Sequence, residues 1–143
     1  MPSVIKPSIE CWLLAGTVGL DAPLLLLQVA RTGEHPAYWQ PVTGGVEPGE
    51  TAEQACRREV WEETGIVVDA KRLVRLEPQF DVQIDEHLTV HKTLFIAATP
   101  NQQVQLSEEH IGWQWVPFRE ANGLLYWPSN RETYTAIKQF LQG

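Results

Sequence analysis

GGVEPGETAEQACRREVWEETGI, residues 44–66, contains the strongest local structural signals in the chain. Thr51 and Gln54 have the spacing of a capping box, in which each side chain bonds the backbone N–H of the other residue. Gly65 suits the left-handed conformation that commonly ends a helix. Together these signals predict a helix from Ala52 to Thr64.

Three carboxylates, Glu59, Glu62 and Glu63, lie near the end of this predicted helix. Residues three and four apart are neighbours on a helix surface, so the three acids share one face. Like charges repel there, and the helix dipole disfavours negative charge at the C-terminal end. This costly arrangement predicts a cation site. The alternative is a solvated acidic face with Arg57 and Arg58 as salt-bridge partners.

The segment resembles the Nudix box, Gly-x5-Glu-x7-Arg-Glu-(apolar)-x-Glu-Glu-x-Gly-(apolar). At typical residue usages of roughly 5–7%, a chance match to its seven single-residue positions is on the order of one in 10⁸. The resemblance implies an α/β fold. This fold is an α/β/α sandwich that contains a mixed sheet, the box helix and a C-terminal helix. The matching residues are Gly44, Glu50, Arg58, Glu59, Val60, Glu62, Glu63, Gly65 and Ile66.

Patterns on either side of the box fit this architecture. A second helix is predicted over residues 130–141, with Ser129 as its N-cap. Residues 88–96 alternate between apolar and polar positions, which predicts a half-buried strand. Other predicted strands cover residues 8–15, 24–30, 38–42, 73–76 and 113–116. With 143 residues, the chain is expected to form a single Nudix domain, residues 1–143.

The net charge of −7 limits the expected partners. Proteins that bind extended nucleic acids through their phosphates are usually basic, so such binding is not expected. An acidic protein still binds a small phosphorylated substrate when divalent cations lie between its carboxylates and the phosphates.

The N-terminal region and the lengths of the apolar runs indicate a cytoplasmic location. Lys6 and Glu10 interrupt the apolar residues there, so no signal peptide is expected, and no apolar run is long enough to span a membrane. Cys11 and Cys56 cannot form a disulfide framework and lack zinc-site spacing; both are expected to be buried.

Oxygen-rich clusters suit hard cations, so Mg²⁺ or Mn²⁺ is the expected cofactor. The resemblance implies that Glu59 and Glu63 are metal ligands and that Glu62 holds a second ion or supports the first. Arg58 is expected to orient a carboxylate, and Glu50 to pair with Arg58. Such ions bridge phosphate oxygens and lower the pKa of a bound water, which predicts attack of water on one phosphorus of a diphosphate linkage.

Metal-bound glutamates are poor proton acceptors, so the general base is sought outside the box. Several Nudix enzymes place a catalytic or metal-binding glutamate in the loop before a late strand, and by this resemblance Glu109 takes that role. The alternative is a solvated acidic loop. A loop at Thr43 and Gly44 is expected either to present a backbone carbonyl to the metal or to form a simple turn.

Residues 38–44, 109–110 and 127–131 resemble those of dihydroneopterin triphosphate diphosphatases, which also act on deoxynucleoside triphosphates. This resemblance implies that Lys6, Arg31, Thr43 and Ser129 contact the triphosphate or the pterin. Trp39 is one of several tryptophans that could stack on the ring of the substrate.

Other activities fit the same box. Diadenosine polyphosphate hydrolases and RNA 5′-end pyrophosphohydrolases also carry Trp-Gln before it. Some Nudix domains are non-catalytic sensors of nucleotide derivatives, although their boxes are typically eroded. The family includes many dimers, so a homodimer is compatible with the resemblance.

Overall fold

The computed structural model describes residues 4–77, 79–100 and 102–143. Within those ranges, none of the helices combines the length and the apolar character needed to cross a bilayer. The strands and helices in chain order are β1 (Val4–Ala15), β2 (Pro23–Val29), β3 (Tyr38–Gln40), β4 (Val42–Gly45), α1 (Ala52–Thr64), β5 (Leu73–Arg75), β6 (Phe80–Gln83), β7 (Leu88–Thr99), β8 (Gly112–Pro117), α2 (Phe118–Ala121) and α3 (Pro128–Gln142).

Strand β1 organises a mixed sheet. One of its edges pairs in parallel with β7 along its whole length, from Val4 opposite Leu88 to Ala15 opposite Thr99. Its other edge pairs antiparallel with β4 and, near its end, with β2. Strands β5 and β6 pair with β7, while β3 and β8 pair with β2.

Successive side chains of β1 alternate between two hydrophobic cores, as the pleat of a strand requires. Trp12 and Leu14 belong to the core that includes residues of α3. Cys11 and Leu13 belong to the core that includes residues of α1, among them Cys56. The sheet therefore lies between α1 and α3, which confirms the predicted α/β/α sandwich and the burial of both cysteines.

Helix α1 forms where the capping signals predict it. Thr51 Oγ1 accepts a hydrogen bond from the Gln54 N–H at 3.1 Å, and Gln54 Oε1 accepts one from the Thr51 N–H at 2.9 Å. Gly65 ends the helix with φ 74°, and its N–H donates to the Trp61 carbonyl. Since all of these contacts are local, they were readable from the sequence.

The prediction that Thr43 and Gly44 lie in a loop is wrong. Pro41, which has no N–H to donate, interrupts the predicted strand. Tyr38–Gln40 pairs with β2, and Val42–Gly45 continues as a strand on the edge of β1. Pairing with β1 outweighs the local tendency of two glycines to form a turn.

Ser129 is not the N-cap of the last helix. Helix α3 begins at Pro128 with Trp127 as its N-cap, and no side chain caps it. Proline suits the first turn of a helix because its missing N–H would have no partner there. Ser129 therefore lies inside the first turn.

The prediction that β7 is half-buried with one polar face is wrong for its second half. Residues 92–97 are all buried. Leu94 and Ile96 belong to the core on the α3 side, whereas Phe95 and Ala97 belong to the core on the α1 side. A strand covered on both faces has no solvated side, so alternation in its sequence loses its usual meaning.

Candidate active site

Strand β4 brings its backbone against the acidic face of α1. A Cβ atom added to Gly44 would lie 2.1 Å from Glu59 Cδ. Such a separation is far below contact distance, so only glycine leaves room for the Glu59 carboxylate in its present place. The box glycine thus sets the position of a predicted metal ligand.

Arg58 is the centre of the polar network on α1. Its Nε and Nη2 atoms donate to the two oxygens of Glu50 at 2.8 and 2.9 Å. Its Nη1 atom donates to Glu59 at 2.7 Å and to Glu62 at 3.2 Å, and Nη2 also reaches the Gly45 carbonyl at 2.9 Å. The bonds to Glu50 and Glu59 raise the pKa of Arg58. These contacts support the predicted roles of Arg58 in orienting carboxylates and of Glu50 as its partner.

Glu50 should contribute stability that is lost in acid. The bond from Arg58 lowers the pKa of Glu50 from 4.5 to about 2. A folded-state pKa below the unfolded value means that this contribution is present above pH 4.5 and disappears as the pH falls towards 2. We therefore expect Glu50→Gln to be less sensitive to pH than the unsubstituted protein across this range, as measured by urea unfolding.

Glu47→Gln is the matched control for that measurement. Glu47 lies 3.9 Å from Arg58 and is largely exposed, so its ion pair is weak. Its variant should keep the acid dependence of the unsubstituted protein. Identical acid dependence in Glu50→Gln would show that the bond to Arg58 does not stabilise the fold.

Glu63 lies beneath the other carboxylates and is only 3% exposed. Burial raises the pKa of Glu63 to about 10, and the neighbouring carboxylate of Glu59 acts in the same direction. The charges of Glu109 and Glu62 add to this effect. A buried acid among other acids is costly to ionise unless a cation compensates it.

His110 contacts Glu63 and is a site residue to which the sequence assigned no role. It is buried, its Nε2 atom lies 3.4 Å from Glu63 Oε1, and burial lowers its pKa. In the described part of the chain, His110 Nδ1 and Glu63 Oε2 are buried without a hydrogen-bond partner. The sequence feature that could have identified His110 is its position directly after Glu109, a residue to which the sequence did assign a role.

Glu109 lies in a turn next to this buried pair. It is exposed, and its backbone N–H reaches Ser107 Oγ at 3.4 Å. Its charge raises the pKa of Glu63, and it partly opposes the lowering of the His110 pKa by burial. The fold therefore brings Glu109 towards the acidic face of α1, from which it is separated by much of the sequence.

The carboxylates on the acidic face of α1 are suitable ligands for a hard divalent cation. Carboxylate oxygens are the ligands that Mg²⁺ and Mn²⁺ prefer, and the buried Glu63 Oε2 has no other partner among the described residues. Across those same residues, no group of three acidic, histidine or cysteine side chains lies in metal-binding positions as it stands. Arg58 bonds one oxygen of Glu59 and one oxygen of Glu62, so it orients both carboxylates.

A cavity of about 520 Å³ opens on the opposite side of β4. Among the described residues, its lining includes Thr43 and Ser129, which were predicted to bind substrate, but not Lys6, Arg31 or Trp39. Trp39 packs against the core on the α3 side, while Lys6 and Arg31 are exposed. The described residues that line the cavity are Gln40, Thr43, Val82, Gln83, Ile84, Lys92, Trp127, Pro128, Ser129 and Asn130.

Consecutive residues of β4 connect the cavity to the acidic face. Thr43 lines the cavity, and its hydroxyl donates to the Ile9 carbonyl at 2.9 Å. Gly44, the next residue, lies against Glu59. The cavity and the carboxylates therefore lie at neighbouring residues of β4.

Comparisons with known proteins give matches over most of the chain. A family model described as NUDIX domain matches residues 11–137. Dihydroneopterin triphosphate diphosphatase of Escherichia coli (strain K12) is 35% identical over 119 residues, which are 76% of this chain and 77% of that enzyme. The asymmetrical bis(5′-nucleosyl)-tetraphosphatase of Mus musculus is 33% identical over 120 residues, 82% of this chain and 79% of that protein.

The fold also matches a solved structure. The E. coli dihydroneopterin triphosphate pyrophosphohydrolase superposes with a TM-score of 0.74 and 32% identity, covering 98% of this chain and 99% of that one.

Proposed function

The chain belongs to the Nudix hydrolase family, and from that premise we propose that it hydrolyses a phosphoanhydride bond in a nucleoside-triphosphate-like substrate. The proposed substrates are dihydroneopterin triphosphate or a (deoxy)nucleoside triphosphate, and the products are pyrophosphate and a monophosphate. The observation that carries this proposal is the placement of Thr43 in the cavity and of Gly44 against Glu59.

The proposed cofactor is Mg²⁺ or Mn²⁺, held by Glu59 and Glu63 with support from Glu62, while Glu109 is proposed as the general base or, in the alternative, as a further ligand. When bound, such an ion neutralises phosphate charge and makes a water more acidic. The orphaned Glu63 Oε2 atom and the crowding of four carboxylates support this assignment.

The protein's own side chains orient the reactants and move the proton. Arg58 fixes the Glu59 carboxylate at 2.7 Å, and Glu50 holds Arg58 by two bonds in turn. Glu109 is exposed beside the site, so it can accept a proton from water and pass it to solvent. Thr43 and Ser129 line the cavity, whereas contacts of Lys6 and Arg31 with the triphosphate remain predictions from sequence.

We expect Glu109→Gln to lower kcat by about 10²-fold while KM changes little. Loss of a general base slows the chemical step by roughly 10²–10⁴-fold without removing the contacts that hold the substrate. Steady-state kinetics at saturating Mg²⁺ measure both constants.

Glu108→Gln provides the comparison, because Glu108 is the exposed neighbour in the same turn. It should retain the unsubstituted rate. Equal rates for Glu109→Gln and Glu108→Gln would place the base at another residue.

A substrate panel tests the proposed function itself. Dihydroneopterin triphosphate, the common nucleoside and deoxynucleoside triphosphates and diadenosine tetraphosphate are incubated with and without Mg²⁺. Pyrophosphate is separated from phosphate, and ¹⁸O-water identifies the phosphorus that is attacked. Absence of Mg²⁺-dependent turnover throughout the panel would favour a sensor.

Diadenosine polyphosphate hydrolysis is a second candidate. It is supported by the similarity to the mouse tetraphosphatase and by aromatic side chains beside the cavity. Tyr38 and Tyr126 stack at 5.9 Å between ring centroids, and both contact Trp127. The tetraphosphate arm of the panel decides between the two.

We further propose that residues 1–143 act as one Nudix domain in the cytoplasm, as a monomer or a homodimer. Two buried free cysteines suit a reducing compartment. The net charge of −7 suits a small metal-complexed substrate better than an extended nucleic acid.

A further inference from the structure

A buried polar network forms the floor of the cavity. Glu10 is 0% exposed although it carries a carboxylate. Its Oε1 atom accepts from Lys92 Nζ at 2.9 Å and from Asn130 Nδ2 at 2.8 Å. Its Oε2 atom accepts from Trp12 Nε1 at 2.8 Å.

Stability alone does not explain this network. Removing two charges from water costs free energy that their attraction often only balances, and apolar replacements of buried ion pairs are often no less stable. Lys92 and Asn130 both line the cavity as well as bonding Glu10. Binding of a ligand by Lys92 and Asn130 would explain why polar side chains occupy these positions.

The network presents one donor group, the Lys92 ammonium, and one acceptor atom to the cavity. A lysine ammonium has three N–H donors, and the bond to Glu10 uses one of them. A carboxylate accepts only, so the Asn130 amide must turn its nitrogen to Glu10, which retains Oδ1 as an acceptor. Because both bonds meet at one oxygen of Glu10, Lys92 Nζ and Asn130 Oδ1 are held close together.

We propose that Lys92 and Asn130 recognise the lactam edge of a neutral heterocyclic ring, the adjacent C=O and N–H that guanine, uracil and pterins share. The ring carbonyl accepts from Lys92 Nζ, and the ring N–H donates to Asn130 Oδ1. Glu10 is a positioning residue, because it acts on the ring only through these two side chains. This inference rests on the proposed function and names the part of the substrate that its cavity binds.

Charge balance and shape support a ring over a further phosphate group. The carboxylate of Glu10 compensates Lys92, so this floor attracts an anion only weakly. The volume of about 520 Å³ is ordinary for a small-molecule pocket. Trp127 lines it and offers an indole face for stacking, held edge-on by Tyr38 and Tyr126 at centroid distances of 5.4 and 4.8 Å.

The test measures binding of unphosphorylated rings without metal, by isothermal titration. Guanosine is compared with 1-methylguanosine, which lacks the ring N–H, and with adenosine, which lacks both the ring carbonyl and the ring N–H. 1-Methylguanosine should bind about tenfold more weakly than guanosine, since it leaves Asn130 Oδ1 unpaired, and adenosine should bind at least as weakly as 1-methylguanosine. Equal affinities for guanosine and 1-methylguanosine would overturn the proposal.

A paired variant tests the role of the network. In Glu10→Gln/Lys92→Met both charges are removed together, so no buried ion is stranded. The glutamine amide that replaces the Glu10 carboxylate can donate to Asn130 Oδ1, so the Asn130 side chain turns its N–H towards the cavity. The cavity then no longer offers the acceptor that the ring N–H of a lactam needs. Guanosine should bind about tenfold more weakly to this variant, whereas Lys71→Met, an exposed control, should bind it unchanged.

The outcomes separate this inference from the proposed function. Guanosine selectivity without turnover of any triphosphate would refute hydrolysis and leave the ring site in place. Turnover of triphosphates with no selectivity among the three nucleosides would refute the ring site alone. Binding of tripolyphosphate that is lost in Glu10→Gln/Lys92→Met would also overturn the ring site, since Lys92 would then hold phosphate.

Discussion

Glu63→Gln should reduce Mg²⁺-dependent turnover by more than about 10²-fold and leave the fold intact. Losing a residue that only supports a metal ligand typically lowers metal affinity or activity by about 10–100-fold, so losing the ligand itself should lower activity further. The glutamine amide has nearly the same shape as the buried carboxylate, and it needs no cation. Turnover at saturating substrate and the circular dichroism spectrum measure the two effects.

The same substitution should remove a pH dependence of stability in the metal-free protein. The pKa of Glu63 is raised from 4.5 to about 10, so between these values the folded state holds a proton that the unfolded state has lost. Stability without metal therefore falls as the pH rises through this window. Urea unfolding in a chelator at pH 6 and 9 should show this slope in the unsubstituted protein and not in Glu63→Gln.

Glu62→Gln is the control for the slope, because Glu62 is largely exposed, with 48% of its side chain accessible. Its variant should retain the pH dependence. Added Mg²⁺ should stabilise the unsubstituted protein more strongly at pH 9 than at pH 6, since metal and proton compete for Glu63. Full turnover in Glu63→Gln would refute its assignment as a ligand.

Gly44→Ala should lower kcat/KM by about 10²-fold with little change in stability. The added Cβ would lie 2.1 Å from Glu59 Cδ, so the carboxylate must move. A displacement of about 1 Å in a catalytic group can cost on the order of 10²-fold in rate. The neighbour that must give way is the end of a flexible side chain, so the backbone should stay in place.

Gly45→Ala is the matched control one residue along the same strand. A Cβ there meets nothing within 4 Å, and neither glycine has a positive φ. It should retain activity within about twofold, and both variants should unfold within about 1 kcal/mol of the unsubstituted protein. Similar activities for the two variants would show that the position of Glu59 does not depend on Gly44.

The box helix was predictable because its determinants are local. Thr51, Gln54 and Gly65 act within four residues of the backbone groups that they satisfy, so spacing alone identifies both ends of α1. The shared face of Glu59, Glu62 and Glu63 then follows from helix geometry.

The cavity floor was not predictable, because its partners are distant in sequence. Glu10 meets Lys92 and Asn130 across 82 and 120 positions, through strand register and the docking of α3. A single charged residue in a predicted strand does not identify its partner. Thr43 and Gly44 illustrate the same limit, since only pairing with β1 makes them part of a strand.

The parallel ladder between β1 and β7 also constrains how the polypeptide reaches its native state. β7 begins at Leu88, so more than half of the chain must leave the ribosome before β1 can acquire this neighbour. At a translation rate of about 5–20 residues per second, the backbone N–H and C=O groups on this edge of β1 lack their β7 partners for several seconds. Nascent chains that stop before Thr99 should therefore be the species that chaperones retain and that aggregate most readily.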